Sequence, residues 1–128
     1  MNMRYKTILA VLAGAALGAV VVQGLHAQAK PAGYYIAEVT VKDKDGYMKE
    51  FVPPAVKSGQ EGGAKFLVRG GKTETLQGAV PAPRVVVIQF DSIDKLQAWW
   101  NSPAQKSAQA IGDKYATFRA YAVEGLAQ

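Results

Sequence analysis

The order of its hydrophobic repeats constrains the fold of this chain more than any other feature. Four segments are rich in β-branched and aromatic residues, which is typical of strands; they are Tyr34–Val41, Lys65–Arg69, Arg84–Phe90 and Thr117–Val123. Apolar residues recur at helical spacing after the first strand and after the third. The order strand, helix, strand, strand, helix, strand predicts an α+β, ferredoxin-like βαββαβ domain, whose antiparallel sheet carries the helices on one face.

Proline and capping residues locate the helix boundaries. Pro53-Pro54 falls inside the first helical pattern, where it is expected to kink the helix or to end and restart it. Asp91 or Ser92 is expected to cap the second helix. Ser102 and Pro103 then fit the N-cap and first helical positions of a further helix.

Alternation within the strands predicts two different faces for the sheet. One face is apolar and is assigned to the helices (the helix face): Tyr35, Ala37, Val39, Phe66, Val68, Val86, Ile88, Phe90, Phe118, Ala120 and Ala122. The other combines apolar and charged side chains (the mixed face): Ile36, Glu38, Leu67, Arg69, Val85, Val87, Gln89, Arg119 and Tyr121. Because the mixed face is too apolar to stay bare in water, we expect a second copy to cover it. The resulting homodimer would enclose a semi-polar cavity between two sheets.

The first 29 residues are organised like a secretory signal peptide. Two basic residues precede the uncharged apolar run Ile8–Val22, and Ala27-x-Ala29 has the small-residue spacing of a signal-peptidase site. We expect cleavage after Ala29, or after Ala27, and a periplasmic or secreted domain over residues 30–128. Retention as an N-terminal membrane anchor is the alternative, although the run is shorter than the about 20 residues of a typical span.

Composition narrows the available chemistry. Processing at residue 29 would remove His26, the only histidine, from a chain without cysteine. Catalysis by a Ser-His-Asp or Cys-His centre, and haem held by a proximal histidine, are then excluded. No cofactor and no metal site is predicted, since the acidic residues lack calcium-loop spacing.

The predicted domain has a small positive net charge. Of the 15 Lys and Arg, two precede residue 30, which leaves 13 against 10 Asp and Glu, a net charge of +3. The charges are interspersed in sign, so no nucleic-acid partner is expected.

Four motifs of the predicted domain occur together: YYIAEVTV, GGAKFLVRGG, RVVVIQFDS and WWNSP. They resemble the domain of unknown function family 1330, of the dimeric α/β-barrel superfamily, over almost all of Gly33–Gly125. The resemblance implies a ferredoxin-like protomer that dimerises through its sheet. The superfamily includes cofactor-free monooxygenases, lactone isomerases and haem-dependent enzymes, whereas the family has no general assigned reaction. Gln105, in place of an aromatic residue common in the family, and Pro53-Pro54 are departures expected to reshape the cavity entrance.

The mixed face carries most of the candidate functional residues. Arg69 is a candidate for binding a carboxylate bidentately, with Gln89 and Arg119 as further ligand-binding candidates. Glu38 is a candidate general base if burial raises its pKa. An ion pair between Glu38 and Arg119 or Arg69, which would set the register of the dimer, is the favoured interpretation.

Aromatic residues of the two helices form a second candidate group. Tyr47 and Phe51 lie one helical turn apart, and Trp99 and Trp100 are adjacent. Trp99 is a candidate for stacking on a planar ligand, and Tyr47 is a candidate for proton transfer. Packing between helix and sheet is the favoured interpretation for most of these rings. One of the two tryptophans is expected to point outward, because adjacent residues do not share a helix face.

Two functions remain open at this point. The first is a binding module that holds a small apolar or carboxylate-bearing molecule in a cavity between two sheets or between sheet and helices, anchored by Arg69. The alternative is a cofactor-free isomerase or monooxygenase in which Glu38 or Tyr47 transfers a proton. The spacing of the residues requires no acid–base pair, so the sequence does not decide whether the protein is an enzyme.

Overall fold

A four-stranded antiparallel sheet organises the molecule, with the strands in the order β2-β3-β1-β4. The strands are β1 (Gly33–Val41), β2 (Lys65–Arg69), β3 (Arg84–Phe90) and β4 (Ala116–Glu124). β1 pairs with β3 on one side and with β4 on the other. The predicted ferredoxin-like α+β fold is confirmed.

A computed structural model describes residues 30–127, and Pro31–Leu126 form one unit. The predicted signal segment, residues 1–29, lies outside the described residues. Within residues 30–127, no helix has the length and apolar character needed to cross a membrane.

Helical segments follow β1 and β3. After β1 come the short α1 (Lys44–Gly46), a π-helical segment (Tyr47–Phe51) and α2 (Val52–Glu61). After β3 come α3 (Ile93–Trp100) and α4 (Pro103–Tyr115). Four buried helical side chains belong to the core that covers β1 and β3: Tyr47, Phe51, Leu96 and Trp99. Partly buried residues of α2 and α4 pack against them: Val52, Ala55, Ile111 and Tyr115.

Capping agrees with the sequence. The hydroxyl of Ser92 accepts a hydrogen bond from the backbone N–H of Lys95 at 3.2 Å, so Ser92, not Asp91, caps α3. The hydroxyl of Ser102 accepts from the N–H of Gln105 at 3.2 Å, and Pro103 opens α4. Each cap satisfies an N–H that has no partner inside its helix.

Pro53-Pro54 restarts the first helix, as predicted, through a π-helical turn that the sequence did not indicate. The N–H of Val52 donates to the carbonyl of Tyr47, five residues earlier. A proline ring in a helix crowds the carbonyl four residues earlier and offers no N–H to it. The wider π turn lies directly before the two prolines, which then occupy the first turn of α2, where their missing N–H groups cost little.

The helix face forms the core. Its β1 and β3 side chains alternate as predicted, and Val39 and Phe90 are the largest fully buried side chains of the described residues. Ala120 and Ala122 lie opposite Ala37 and Tyr35 but remain exposed, because β4 is an edge strand. Burial of this face supplies most of the hydrophobic stabilisation of the fold.

A β-bulge in β2 makes the prediction for two side chains wrong. Phe66 pairs with Ile88 of β3. Val68, two residues later, pairs with Val87, which is only one residue from Ile88, and Arg69 then pairs with Val86. The extra residue is Leu67, and it interrupts the two-residue alternation of the strand. Val68 therefore lies on the mixed face, and Arg69 lies on the helix face, the reverse of the sequence prediction.

Candidate functional site

A pocket opens between the helix face and the helical segments that cover it. It is lined by three of the four buried β1 positions, by the first helical region, by β2 and β3, by α3 and α4, and by one residue of β4: Tyr35, Ala37, Val39, Tyr47, Phe51, Val52, Ala55, Val56, Phe66, Arg69, Arg84, Val86, Ile88, Trp99, Gln105, Gln109 and Phe118. Most of this wall is apolar. The cavity is small, with about 60 Å³ open to the centres of water molecules.

Two arginines and a tyrosine form one polar part of this pocket. Arg84, at the start of β3, donates from Nε to the hydroxyl of Tyr47 at 3.1 Å. Its guanidinium lies 5.3 Å from the centre of the Tyr47 ring. Arg69, at the end of β2, lies 5.4 Å above the ring of Phe66. Aromatic contacts of this kind orient a guanidinium without neutralising it.

Neither arginine of the pocket forms an ion pair with a carboxylate in the described part of the chain. The ion pairs there involve other residues: Lys72 with Glu74, Lys95 with Asp91, and Arg119 with Glu38. Arg84 is half-buried and Arg69 is exposed, which places them at the transition from apolar interior to solvent. Two uncompensated guanidiniums beside an apolar cavity form a site that favours an anion.

Local backbone structure positions both arginines. The bulge turns Arg69 towards the helices, as described above. Gly70 follows with a φ of 78°, and a Cβ atom on it would overlap the guanidinium of Arg84. A side chain at residue 70 would be strained by the positive φ, which glycine adopts freely, and would also displace the guanidinium of Arg84.

Trp99 contributes to the wall of the pocket as a core residue. It is buried, its ring packs edge-on against Tyr35 at 5.2 Å, and its Nε1 donates to Ser58 Oγ at 3.0 Å. Ser58 Oγ in turn donates to Gln105 Oε1 at 2.7 Å. The favoured interpretation of Trp99 as packing is confirmed, and its neighbour Trp100 is the one that points outward. Gln105 is 3% exposed and completes this buried network.

Tyr35 brings a second polar group to the pocket wall. Burial raises the pKa of its hydroxyl to about 12, and the neighbouring Tyr47 and Asp113 add to this effect. Tyr35 therefore stays protonated, and keeps its hydrogen-bond donor, over the whole neutral range.

Glu38 lies away from this pocket, on the mixed face. Its Oε1 accepts a hydrogen bond from the N–H of Ala82 at 3.0 Å, and its Oε2 pairs with Nη1 of Arg119 at 2.6 Å. The Ala82 hydrogen bond, together with Arg119, lowers the pKa of Glu38 below its usual value. The raised pKa expected of a general base is therefore wrong, because the hydrogen bonds stabilise the charged form more than burial disfavours it.

The other predicted residues divide between the two faces of the sheet. Tyr47, Arg69 and Trp99 line the pocket. Arg119 and Gln89 lie with Glu38 on the mixed face, opposite Glu38 and Tyr34 respectively. The structure thus brings together three of the six candidates.

Sequence reasoning missed Arg84, the residue that holds the Tyr47 hydroxyl. A signal was present, because Arg84 begins the same alternating row as Val86, Ile88 and Phe90, all assigned to the helix face. A charge at the end of an apolar row marks the edge of a core, where a binding site can open.

Metal ligands are not clustered in the described region. Among residues 30–127, no group of three His, Cys, Asp or Glu side chains is placed to hold a metal ion.

Several solved structures share this fold at low sequence identity. A protein of unknown function from Rhodopseudomonas palustris superposes with a TM-score of 0.60 at 13% identity, over 83% of this chain and 92% of that one. SnoaB, a cofactor-independent oxygenase from Streptomyces nogalater, superposes with a TM-score of 0.54 at 9% identity, over 77% and 96% of the two chains. A dimeric ferredoxin-like protein of unknown function from Bacteroides fragilis gives 0.51 at 15% identity, over 73% and 95%.

Comparison of the sequence itself identifies the family. No curated protein matches the chain. The model of the family described as Domain of unknown function (DUF1330) matches residues 32–126, which include every strand and helix described above. The chain therefore belongs to the DUF1330 family.

Proposed function

We propose that this domain binds a small molecule with an apolar body and an anionic group, in the pocket between the sheet and its helices. The observation that carries the proposal is the pair Arg69 and Arg84, which line the mouth of an apolar cavity without a carboxylate partner in the described chain. A carboxylate is the preferred anion, because a guanidinium binds its two oxygens through parallel hydrogen bonds.

The surroundings strengthen such a contact. The Tyr47 and Phe66 rings lie against the two guanidiniums and reduce their contact with water. Hydrogen bonds to charged groups contribute about 1.5 to 3 kcal/mol each, more than neutral ones. The rest of the wall is formed by aliphatic and aromatic side chains, which suits an apolar body of limited size.

Calorimetric titration tests this proposal with phenylacetate and its neutral analogue phenylacetamide. We expect the wild-type domain to prefer the acid, and the double variant Arg69→Met/Arg84→Met to lose at least about tenfold of that affinity. Arg119→Met is the matched control, since it removes one guanidinium from the opposite face. Equal affinity for acid and amide, or equal losses in both variants, would contradict the proposal.

A cofactor-free enzyme of the isomerase or monooxygenase type is the alternative function. It is favoured by one contact: the Tyr47 hydroxyl accepts from Arg84 Nε, which leaves its own proton available to a molecule in the pocket. SnoaB, of similar fold, is a cofactor-independent oxygenase. The test incubates any acid that binds with the wild type and with Tyr47→Phe. Chromatography measures the loss of the acid, and an oxygen electrode measures the consumption of oxygen. Turnover that Tyr47→Phe abolishes would establish the enzyme; binding without turnover favours the binding module.

We also propose that a second copy covers the mixed face. Four of its apolar side chains are between 39% and 47% exposed: Leu67, Val68, Tyr121 and Val123. The ferredoxin-like protein from Bacteroides fragilis is described as dimeric. Sedimentation equilibrium should give a dimer at micromolar concentration and a monomer for Val87→Glu, since a buried unpaired charge opposes association. Ala98→Glu, on the exposed side of α3, is the control. A monomeric wild type would refute this interface.

Export of the domain is a further part of the proposal, supported by the signal-like residues 1–29. Expression of the full chain in a Gram-negative host, followed by mass spectrometry of the periplasmic fraction, tests it. We expect a chain that begins at Lys30, or at Gln28 if cleavage follows Ala27. An uncleaved chain in the membrane fraction would instead establish the anchor.

A further inference from the structure

The hydroxyl of Tyr35 is a polar group that the anion site does not use. The residue is 7% exposed, and its side chain lines the same pocket as the two arginines. No hydrogen bond to this hydroxyl occurs within residues 30–127, although every fully enclosed side-chain nitrogen or oxygen there has a partner. The Tyr35 hydroxyl is therefore not fully enclosed by the protein and has no partner among the described residues.

A hydroxyl on the wall of an apolar cavity forms hydrogen bonds only with water or with a bound molecule. A phenylalanine at this position would fill the same space without a donor or an acceptor. In the empty pocket a water molecule would form this hydrogen bond with the hydroxyl, and a polar atom of a bound ligand would replace that water. Its position in the pocket wall thus points to a ligand that is polar at that place.

Strand register separates Tyr35 from the anion site. Arg84 pairs with Val39, four residues along β1 from Tyr35. At about 3.3 Å per residue, the two backbone positions lie roughly 13 Å apart along the strand. Between them the floor is apolar, formed by Ala37 and Val39 and by Val86 and Ile88 opposite. Along β1, an apolar stretch of the pocket floor therefore lies between the two positions.

We infer that the ligand carries a hydroxyl or carbonyl oxygen separate from its anionic group, and that the Tyr35 hydroxyl hydrogen-bonds this oxygen. The inference rests on the proposed binding of an anion by Arg69 and Arg84. It makes the ligand class more specific: an acid with a second oxygen across a short apolar body. Because the cavity is small, we expect the apolar body of the ligand to be compact.

Calorimetry with matched acids tests the inference. The probes are 4-hydroxyphenylacetate against phenylacetate, and 3-(4-hydroxyphenyl)propanoate against 3-phenylpropanoate, which extends the spacing by one carbon. The wild-type protein should bind at least one hydroxylated acid about three- to tenfold more tightly than its partner, the usual contribution of a neutral hydrogen bond. Tyr35→Phe should bind both members of that pair equally.

Tyr34→Phe is the matched control, because Tyr34 is adjacent in β1 but lies on the mixed face. It should keep the wild-type preference. If the wild type binds the acids but prefers neither hydroxylated form, the inference fails and the anion site stands. The inference also fails if Tyr35→Phe keeps the preference. If none of the four acids binds, both the inference and the proposed function are overturned. The comparison of acids within the wild type needs no variant, so it holds even if Tyr35→Phe folds poorly.

Discussion

The two faces of the sheet differ in how far one chain satisfies them. On the helix face, the chain's own helices bury Val39 and Phe90 completely and leave a small pocket beside two arginines. On the mixed face, valines and tyrosines remain partly exposed around an ion pair between Glu38 and Arg119. The helix face therefore contains the pocket that we propose as a binding site, whereas the mixed face is the surface that we propose is covered by a second copy.

The arginines show the same contrast more sharply. On the mixed face, Arg119 forms an ion pair with Glu38, so the charge of this arginine is already compensated within the chain. On the helix face, neither Arg69 nor Arg84 forms an ion pair with a carboxylate of the described residues. Arginines therefore differ in whether they form an ion pair, according to the face of the sheet on which each one lies.

The largest effect is expected from the same truncation made on each face. Val39→Ala removes fully buried methyl groups and should lower the free energy of unfolding by about 2 to 3 kcal/mol. Val123→Ala, at an exposed position of the mixed face, should lower it by less than about 1 kcal/mol at concentrations too low for association. Urea denaturation at several protein concentrations measures both. Equal losses at high dilution would show that the mixed face is already packed in the protomer.

An intermediate effect is expected where Gly70 approaches Arg84. Gly70→Ala imposes a strained positive φ, which costs about 1 kcal/mol, and also displaces the guanidinium. Gly78→Ala is the matched control, since Gly78 has a φ of 83° but nothing within 4 Å of its added Cβ. Both variants should lose similar backbone stability, and only Gly70→Ala should also weaken phenylacetate binding. The role assigned to Arg84 would be contradicted if Gly70→Ala bound the acid as tightly as Gly78→Ala does.

The smallest effect concerns the ion pair of the mixed face. Because the folded pKa of Glu38 is lowered, its contribution to stability is present above the ordinary value of 4.5 and is lost as the pH falls through the lowered pKa. Between about pH 5 and about pH 3, Glu38→Gln should therefore lose less unfolding free energy than the wild type. Glu50→Gln, at an exposed position of the π-helical segment, should follow the wild type. Urea denaturation across this pH range gives the comparison, and parallel curves for all three proteins would exclude a role for Glu38.

Much of the fold was predictable because it depends on local patterns. Two-residue alternation identified β1, β3 and β4, and Ser92, Ser102 and Pro103 marked the helix starts through capping chemistry. These signals depend on residues within a few positions of each other. The π turn before Pro53-Pro54 and the bulge at Leu67 were not predictable, since each adds one residue to a regular repeat without a distinctive side chain.

The candidate site was predicted only in part for the same reason. Arg69 was singled out as an anion ligand, but on the wrong face, because one inserted residue reverses every side chain after it. Tyr47 was singled out by helical spacing, while its partner Arg84 lies 37 positions away and meets it only after β3 pairs with β1.

Local periodicity and capping in the amino-acid sequence were enough to establish the order of strands and helices, the apolar face of the sheet and the membership of Glu38 in the mixed face. Tertiary structure alone decided which charges remain uncompensated. Strand register paired Glu38 with Arg119, and the bulge placed Arg69 beside Arg84 and away from any acid of the described chain. Charge pairing depends on distances of a few ångströms between residues far apart in sequence, so packing settles it and composition does not.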